Sequence, residues 1–508
     1  MVDPALKMEL SFQGYQKDSP ILKDFVDGAP IWTSHGASGG LDPLAMLAPI
    51  EQVYSNLLTG MSSVTVRFRY YSFLAWWVLQ YARGKPTKSQ TDLSEHIRKG
   101  EALVGLATRA IGKGGGLAGE NTFGNTLRTS GPEIDMVALR QTYLKTPAFF
   151  AVYGGQMTEM GILARNKDRN LAPTPDLGIR LANAYEEAIG ADTAVLFQSL
   201  AQQDFVRQDA LPDLEPMCIN FADPYGRTRE QELLRDMLMG RVGLGARRNT
   251  LLEIMLDAHA SGATPDEWGL RLRWLSKLPT NDDPHHTERM RWAHFQVADS
   301  LRVAMEALLR HSVIILRETG AITLNELIVE VCGNIPRDIT FSEYLTQLAI
   351  VVDGQDFAQI QRRAEIDGTS LDEKLALIAK LWVDWSDQIP EMAKVFPTRK
   401  PFTTSATEFR ALHELQDRPA WDAVADFLKD RVLRRHLFVA ARKLHGQSNN
   451  TFQMEYEAGR LIARQLGNVG AAGPRLATAI SFLRQLGILN DDGLTHLGHI
   501  EMQRHYEV

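Results

Sequence analysis

The sequence is poor in cysteine. Among 508 residues there are only Cys218 and Cys332. Two thiols cannot build a disulfide framework, and they exclude a zinc site made mainly of thiolates. The expectation is two buried thiols in a reducing cytoplasm. Long apolar runs are missing too. The most apolar stretch, Phe73 to Leu79, spans seven residues, whereas a membrane-crossing helix needs about 20. Residues Met1 to Leu10 carry Asp3, Pro4, Lys7 and Glu9, without the apolar segment of a secretory signal. A cytoplasmic chain with no membrane partner is expected. Nor is there an excess of positive charge, because 55 Lys and Arg face 62 Asp and Glu, for a net charge of −7. Chains coated in nucleic acid are usually basic, so any such contact must come from a local patch.

Signatures of catalysis are absent as well. The Gly-rich segment 112–132 suggests a phosphate loop, but Lys113 is followed by Gly114. A Walker loop needs Ser or Thr there to reach magnesium. The segment reads as a loop with helical patterns resuming at Ile134. Asp282, Asp283, His285, His286 and His294 lie close together, yet adjacent residues on a helix point apart, and the aspartates suit helix caps. Asp367, Asp372 and Lys374 imitate a nuclease spacing. However, Ser370 to Glu373 is a capping box opening a helix. No G-x-S-x-G sequence and no convincing Cys–His pair is present. The reading is a protein without catalytic residues, metal or cofactor, and the third possibility kept open is an enzyme with an unfamiliar site.

What the chain does have is helical periodicity, punctuated by Pro and Gly. The expected fold is mainly α and multi-domain. Its segments are an N-terminal helical domain over 1–210, a central helical domain over 217–395 and a C-terminal domain over 406–508. Tyr70, Phe73, Leu74, Trp77 and Tyr81 share one face of a helix over Arg67 to Arg83, and Trp76, Val78 and Leu79 cover much of the rest. A helix apolar nearly all round is buried. Residues 288–318 read as one long helix.

One internal echo stands out. Residues 160–178 (MGILARNKDRNLAPTPDLG) and 486–498 (LGILNDDGLTHLG) both run Gly-Ile-Leu, a polar turn, Thr, then Leu-Gly. A helix end followed by a short hairpin produces this pattern, as in the wing of a winged helix-turn-helix. In the C-terminal copy, Glu457 to Leu466 is read as a first helix and Gly467 to Gly473 as the turn. Pro474 to Leu486 is the second helix, and a hairpin turns at Asp491-Asp492-Gly493. A second wing-like hairpin is expected near 160–178. Leu476, Ile480 and Leu483 would face the core. Arg475, Thr478, Ser481 and Gln485 would face outward, with groups suited to bases or phosphates.

The preceding helix, 427–446, is basic. Leu433, Leu437, Ala440, Ala441 and Leu444 form its inner face. Arg431, Arg435 and Arg442 fall on one outer stripe, with Arg434 and Lys443 beside it. A line of guanidinium groups suits phosphates, while the plainer alternative is a surface face paired with acidic neighbours.

Three stretches together, 39–78, 432–452 and 474–498, resemble a loose group of uncharacterised bacterial proteins associated with anti-phage defence gene clusters. The resemblance covers both ends of the chain. It implies a setting beside helicases or nucleases and assigns no residue a role. The functional expectation is therefore a non-enzymatic DNA-binding or assembly component of a defence-type system. Its partners would be double-stranded DNA or other proteins of the same gene cluster. The alternative is a protein-interaction scaffold that docks a partner helicase or nuclease.

Overall fold

In the computed structural model, helices dominate and the few strands form two-stranded hairpins or ladders, the first a ladder of β1 (Glu133–Asp135) with β4 (Phe205–Arg207). The structure describes residues 42–84, 90–112, 115–143, 146–165, 170–276, 286–388, 390–391, 394, 404–444 and 451–506. In chain order the first helices are α1 (Leu47–Leu57), α2 (Arg69–Gly84), α3 (Gln90–Ala110), α4 (Glu120–Thr129), α5 (Met136–Thr142), α6 (Gly154–Glu159), α7 (Gly178–Ile189) and α8 (Ala191–Ala201). Next come α9 (Arg229–Leu238), α10 (Arg248–Ser261), α11 (Glu267–Ser276), α12 (His286–Thr319), α13 (Leu324–Val331), α14 (Phe341–Val351), α15 (Phe357–Glu365) and α16 (Leu371–Trp385). The last are α17 (Ser405–Leu415), α18 (Ala420–Asp426), α19 (Arg434–Leu444), α20 (Leu476–Gln485) and α21 (His496–Tyr506). Contacts gather the chain into two units. One comprises Arg271–Ala472 with the described part of Met1–Val53, the other Tyr54–Leu270 with Gly473–Val508.

The unit containing α2 is built around aromatic rings. As its periodicity predicts, α2 is buried on nearly every side. Trp76 meets Tyr185 and Phe197 at centroid distances of 5.8 Å each, and Phe68 meets Phe482 of α20 at 4.5 Å. Polar groups inside this unit are held by arginines. Arg69 faces Glu230 at 3.2 Å and donates to the Cys218 carbonyl at 2.6 Å. Arg247, with no carboxylate partner among the described residues, donates to the carbonyls of Leu238, Leu244 and Met237. It closes the C-terminal end of α9, where a cation suits the helix dipole. Burial brings its guanidinium down to about 10.

The echo in the sequence is a repeated structure within this unit. In the first copy Gly161 (φ +80°) ends α6 and β2 (Leu163–Arg165) pairs with β3 (Leu171–Pro173). Thr174 Oγ1 then donates to the Gly161 carbonyl at 2.7 Å and accepts from Gly178 N at 3.0 Å, at the start of α7. In the second copy Gly487 (φ +71°) ends α20. There β7 (Leu489–Asn490) pairs with β8 (Gly493–Leu494) across Asp491-Asp492. Thr495 Oγ1 donates to the Gly487 carbonyl at 2.6 Å and accepts from Gly498 N at 3.0 Å. A Cβ on Gly178 would strike the Ile162 carbonyl, and one on Gly498 the Ile488 carbonyl.

The other unit is organised on α12, 34 residues long, which matches the single long helix expected over 288–318. Helices α13, α14, α16 and α17 each begin with a capping box: Thr323–Glu326, Thr340–Glu343, Ser370–Glu373 and Thr404–Thr407. In each, the first orphan amides find side-chain acceptors. A buried polar network crosses the middle of α12. Asp299 accepts from Arg271 at 2.6 Å, from Arg302 at 2.8 Å and from Ala472 N at 2.9 Å. Arg302 also pairs with Glu306 at 2.7 Å. Burial raises the Glu306 carboxyl to about 7, even against the pull of Arg302.

Three expectations need correction. Residues 457–466 are not a first helix, because β5 (Met454–Glu457) and β6 (Arg460–Ala463) form a hairpin there. Its two-residue turn holds Ala458 at φ +49° and Gly459 at φ +77°, the mirror-image geometry that matches strand twist. The helix-turn-helix thus loses the first helix assigned to it. The Gly-rich segment is not a loop throughout, because α4 occupies Glu120–Thr129 with Phe123 buried against Tyr143 at 4.8 Å. Finally, the basic helix is helical from 427 to 444 as expected but not α-helical throughout, since a π-helical turn spans Phe427–Leu433 between α18 and α19.

Candidate functional site

The basic stripe is largely internal. Glu408, fully buried on α17, accepts from Arg431 at 3.0 and 2.7 Å and from Arg435 at 3.0 Å. Arg435 is only 2% exposed, so its place on an outer stripe does not hold. The π-helical turn holds more residues than a 3.6-residue turn, and a period carried through it misplaces the side chains beyond. Burial alone would raise the Glu408 carboxyl, but Arg431 and Arg435 outweigh it and bring it to about 2. Arg434 is exposed and pairs with Asp430 at 2.8 Å. Lys443 donates to the Asp42 carbonyl at 2.7 Å. Arg442 is exposed. His436, beside Arg435, is buried and accepts from Gln453 N at 2.9 Å, and burial holds its imidazole down at about 4.

On α20 the expected inner face holds, because Leu476, Ile480 and Leu483 are buried. The opposite face does not turn outward. Arg475, in the left-handed region at φ +68°, donates to the Met61 carbonyl at 2.6 Å and lies over the Tyr54 ring. Thr478 is buried and donates to the Ser62 carbonyl at 3.1 Å. Gln485 donates to the Val66 carbonyl at 2.8 Å and accepts from Phe68 N at 3.0 Å. Ser481 Oγ accepts from Gln485 at 2.9 Å. Arg475, Thr478 and Gln485 therefore bind the chain's own segment Met61–Phe68, and Ser481 supports Gln485. No periodicity argument names such a partner, because it lies over 400 residues away in sequence.

The remaining motifs also resolve into structure. Lys374 donates to Thr369 Oγ1 at 2.6 Å and to the Ile366 carbonyl at 2.9 Å, and Asp372 accepts from Tyr344 at 2.5 Å. The Ser370–Glu373 capping box is present as expected. Lys113, Gly114, Asp282, Asp283 and His285 lie outside the described residues. Among the described residues no group of three or more His, Cys, Asp and Glu side chains is placed to hold a metal ion. Cys218 and Cys332 are buried and not joined to one another in a disulfide, and burial pushes the Cys332 thiol up to about 12. Among the described residues no helix is long and apolar enough to cross a membrane.

What the sequence reading missed is an exposed apolar surface at the ends of α14 and α16. Ile350 is 68% exposed, Val351 72% and Val383 50%. Lys380 of α16 lies 3.7 Å from Asp353, just beyond α14, and 3.1 Å from Asp384. That bridge ties the end of α14, which carries Ile350 and Val351, to α16, which carries Val383. Asp353, Asp384 and Asp387 are exposed, and two of these carboxylates, Asp353 and Asp384, share the Lys380 ammonium. The signal was the -Ala-Ile-Val-Val-Asp- run at the end of α14, which is too apolar for the one face that packs. No protein-family model, no curated protein and no solved structure matches this chain.

Proposed function

We propose that the protein is a non-enzymatic assembly component that docks a partner protein through the ends of α14 and α16. The setting suggested by the sequence resemblance is a bacterial anti-phage defence system with a helicase or nuclease as partner. The observation that carries the reading is the pair of adjacent, largely exposed residues Ile350 and Val351 at the end of α14, which the Lys380–Asp353 pair ties to α16, where Val383 is also exposed. Exposed apolar clusters rimmed by polar groups suit protein contact. The carboxylate excess around this one selects a partner segment that is both apolar and basic, such as an amphipathic helix. In the same proposal, residues 474–498 are the second helix and wing of a winged helix whose polar face packs inside the chain.

The test is affinity measurement between the purified chain and the purified products of neighbouring genes. One of them should bind, and Ile350→Glu with Val351→Glu should weaken it at least about tenfold. Both positions are exposed, so the variant should keep the wild-type melting temperature. Binding of no neighbour, or equal binding by the variant, would sink the proposal. Double-stranded DNA is the second reading, and it rests on the exposure of both Arg434 and Arg442 on α19. Fluorescence anisotropy at several salt concentrations tests it. Unchanged affinity in Arg434→Glu with Arg442→Glu rules it out.

A further inference from the structure

A cavity of about 800 Å³ lies between the end of α3 and the outer face of α4. The two helices cross closely because Gly105 has no side chain, and a Cβ there would strike the Phe123 ring. That crossing brings Arg109 alongside Gly124, where an added Cβ would sit 3.3 Å from Arg109 Nε. Arg109, Asn121, Asn125 and Arg128 line the cavity with Glu120 and Gln208. Some of these groups are already engaged. Glu120 accepts from Gly116 N at 3.0 Å, Arg128 donates to Asn125 Oδ1, and the Gln208 amide donates to the carbonyls of Leu127, Ser130 and Gly131. Arg109 and Asn121 have no hydrogen-bond or ion-pair partner among the described residues.

We propose that this cavity binds a phosphorylated sugar. Two guanidinium forks supply the charge-assisted donors that a phosphate monoester needs. Its size exceeds that of a bare phosphate and falls within the range of small-molecule sites. No aromatic ring lines it, so it offers no aromatic face on which a nucleobase could stack. The Asn121 and Asn125 amides and the Glu120 carboxylate instead present mixed donors and acceptors, which suit hydroxyl groups. Of the apolar side chains only Ala110 and Leu127 take part.

Calorimetric titration of the full chain tests the site with ribose 5-phosphate, ribose and inorganic phosphate. Ribose 5-phosphate should bind saturably, more tightly than inorganic phosphate, while ribose should not bind. Arg109→Ala should weaken binding at least about tenfold, the scale of one lost charge-assisted hydrogen bond. Arg128→Ala should also weaken it. Both residues are exposed, so unchanged circular dichroism is expected for each variant. Absence of saturable binding at millimolar ligand overturns the proposal. So does equal affinity for inorganic phosphate, or wild-type affinity in the Arg109→Ala, Arg128→Ala double variant.

Discussion

Arg435 Nη2 lies 3.0 Å from Glu408 Oε1, and both side chains are buried. Arg431 reaches the same oxygen at 2.7 Å. A helix that looks in sequence like a surface for phosphates is therefore pinned from within by a carboxylate more than 20 residues upstream.

Removing that carboxylate's charge should be costly. Glu408→Gln leaves two guanidinium groups in the interior with a neutral acceptor. A loss of about 3–5 kcal/mol is expected, because breaking a buried pair strands the other charge. Urea denaturation followed by circular dichroism measures it. Replacing all three together, with Glu408→Leu, Arg431→Met and Arg435→Met, should recover most of the loss. A cost below about 1 kcal/mol for Glu408→Gln would mean that the triad does not anchor this segment.

Acid should act on the same triad in a defined window. Glu408 titrates near 2 in the folded chain against an ordinary value of 4.5. A depressed carboxylate contributes stability that is full above the unfolded value and is lost as pH falls through the folded one. His436, held by burial at about 4 against 6.5, is likewise lost as pH falls from about 6.5 to 4. Glu101 and Glu306, raised by burial to about 7, act in the opposite sense, adding stability as pH falls from 7 towards 4.5. The terms oppose one another above pH 4.5, and a steep loss is expected between about 4.5 and 2. The triple apolar variant should lack the Glu408 part of it. Parallel pH–stability curves for the two proteins would contradict the assignment.

The polar face of α20 yields a separate test. Gln485→Ala removes the partner of both Phe68 N and the Val66 carbonyl. The expected cost is about 1–3 kcal/mol, the range for a backbone group left unmet. Hydrogen exchange at the Phe68 amide should speed up while exchange within the core of α12 stays unchanged. An unaltered Phe68 amide would show that the contact is not maintained in solution.

The two hairpin copies should respond alike. Thr174→Val and Thr495→Val each remove one hydroxyl that donates to a glycine carbonyl and accepts from the next helix. A cost of about 1 kcal/mol or somewhat more is expected at each site. Gly178→Ala and Gly498→Ala should cost more, since each Cβ meets a carbonyl oxygen. Thermal denaturation of the four variants checks the equivalence. A marked effect in one copy and none in the other would leave the resemblance purely geometric.

Much of this fold could be read from local pattern. The burial of α2, the length of α12, the Ser370–Glu373 capping box and the hairpin turn at Asp491-Asp492 all depend on residues near in sequence. Failures cluster where a distant residue or an unusual backbone decides. The run Glu457 to Leu466 has helical spacing, but Ala458-Gly459 accepts two positive φ angles, and the hairpin wins. Phe123 gives the Gly-rich segment an anchor only because Gly105 and Tyr143 wait for it. Thr478 and Gln485 carry the atoms for base recognition and spend them on Met61–Phe68. The arginines misled most, since Arg69, Arg235, Arg247, Arg302 and Arg475 all use guanidinium donors on backbone carbonyls inside the protein.

The division of the chain also sets an order of events during synthesis. Tyr54–Leu270 belongs with Gly473–Val508, so Phe482, which packs on Phe68, and Gln485, which serves Phe68 and Val66, leave the ribosome only after residues 271–472. Until then Phe68 lacks that ring neighbour and the Met61–Phe68 carbonyls lack their donors. Domains usually settle one after another as they emerge. Here the unit that starts at Tyr54 is completed only by residues beyond 472, and the intervening residues 271–472 must be made while it waits. A nascent chain halted before residue 473 should hold an unfinished aromatic core, a natural handle for a chaperone.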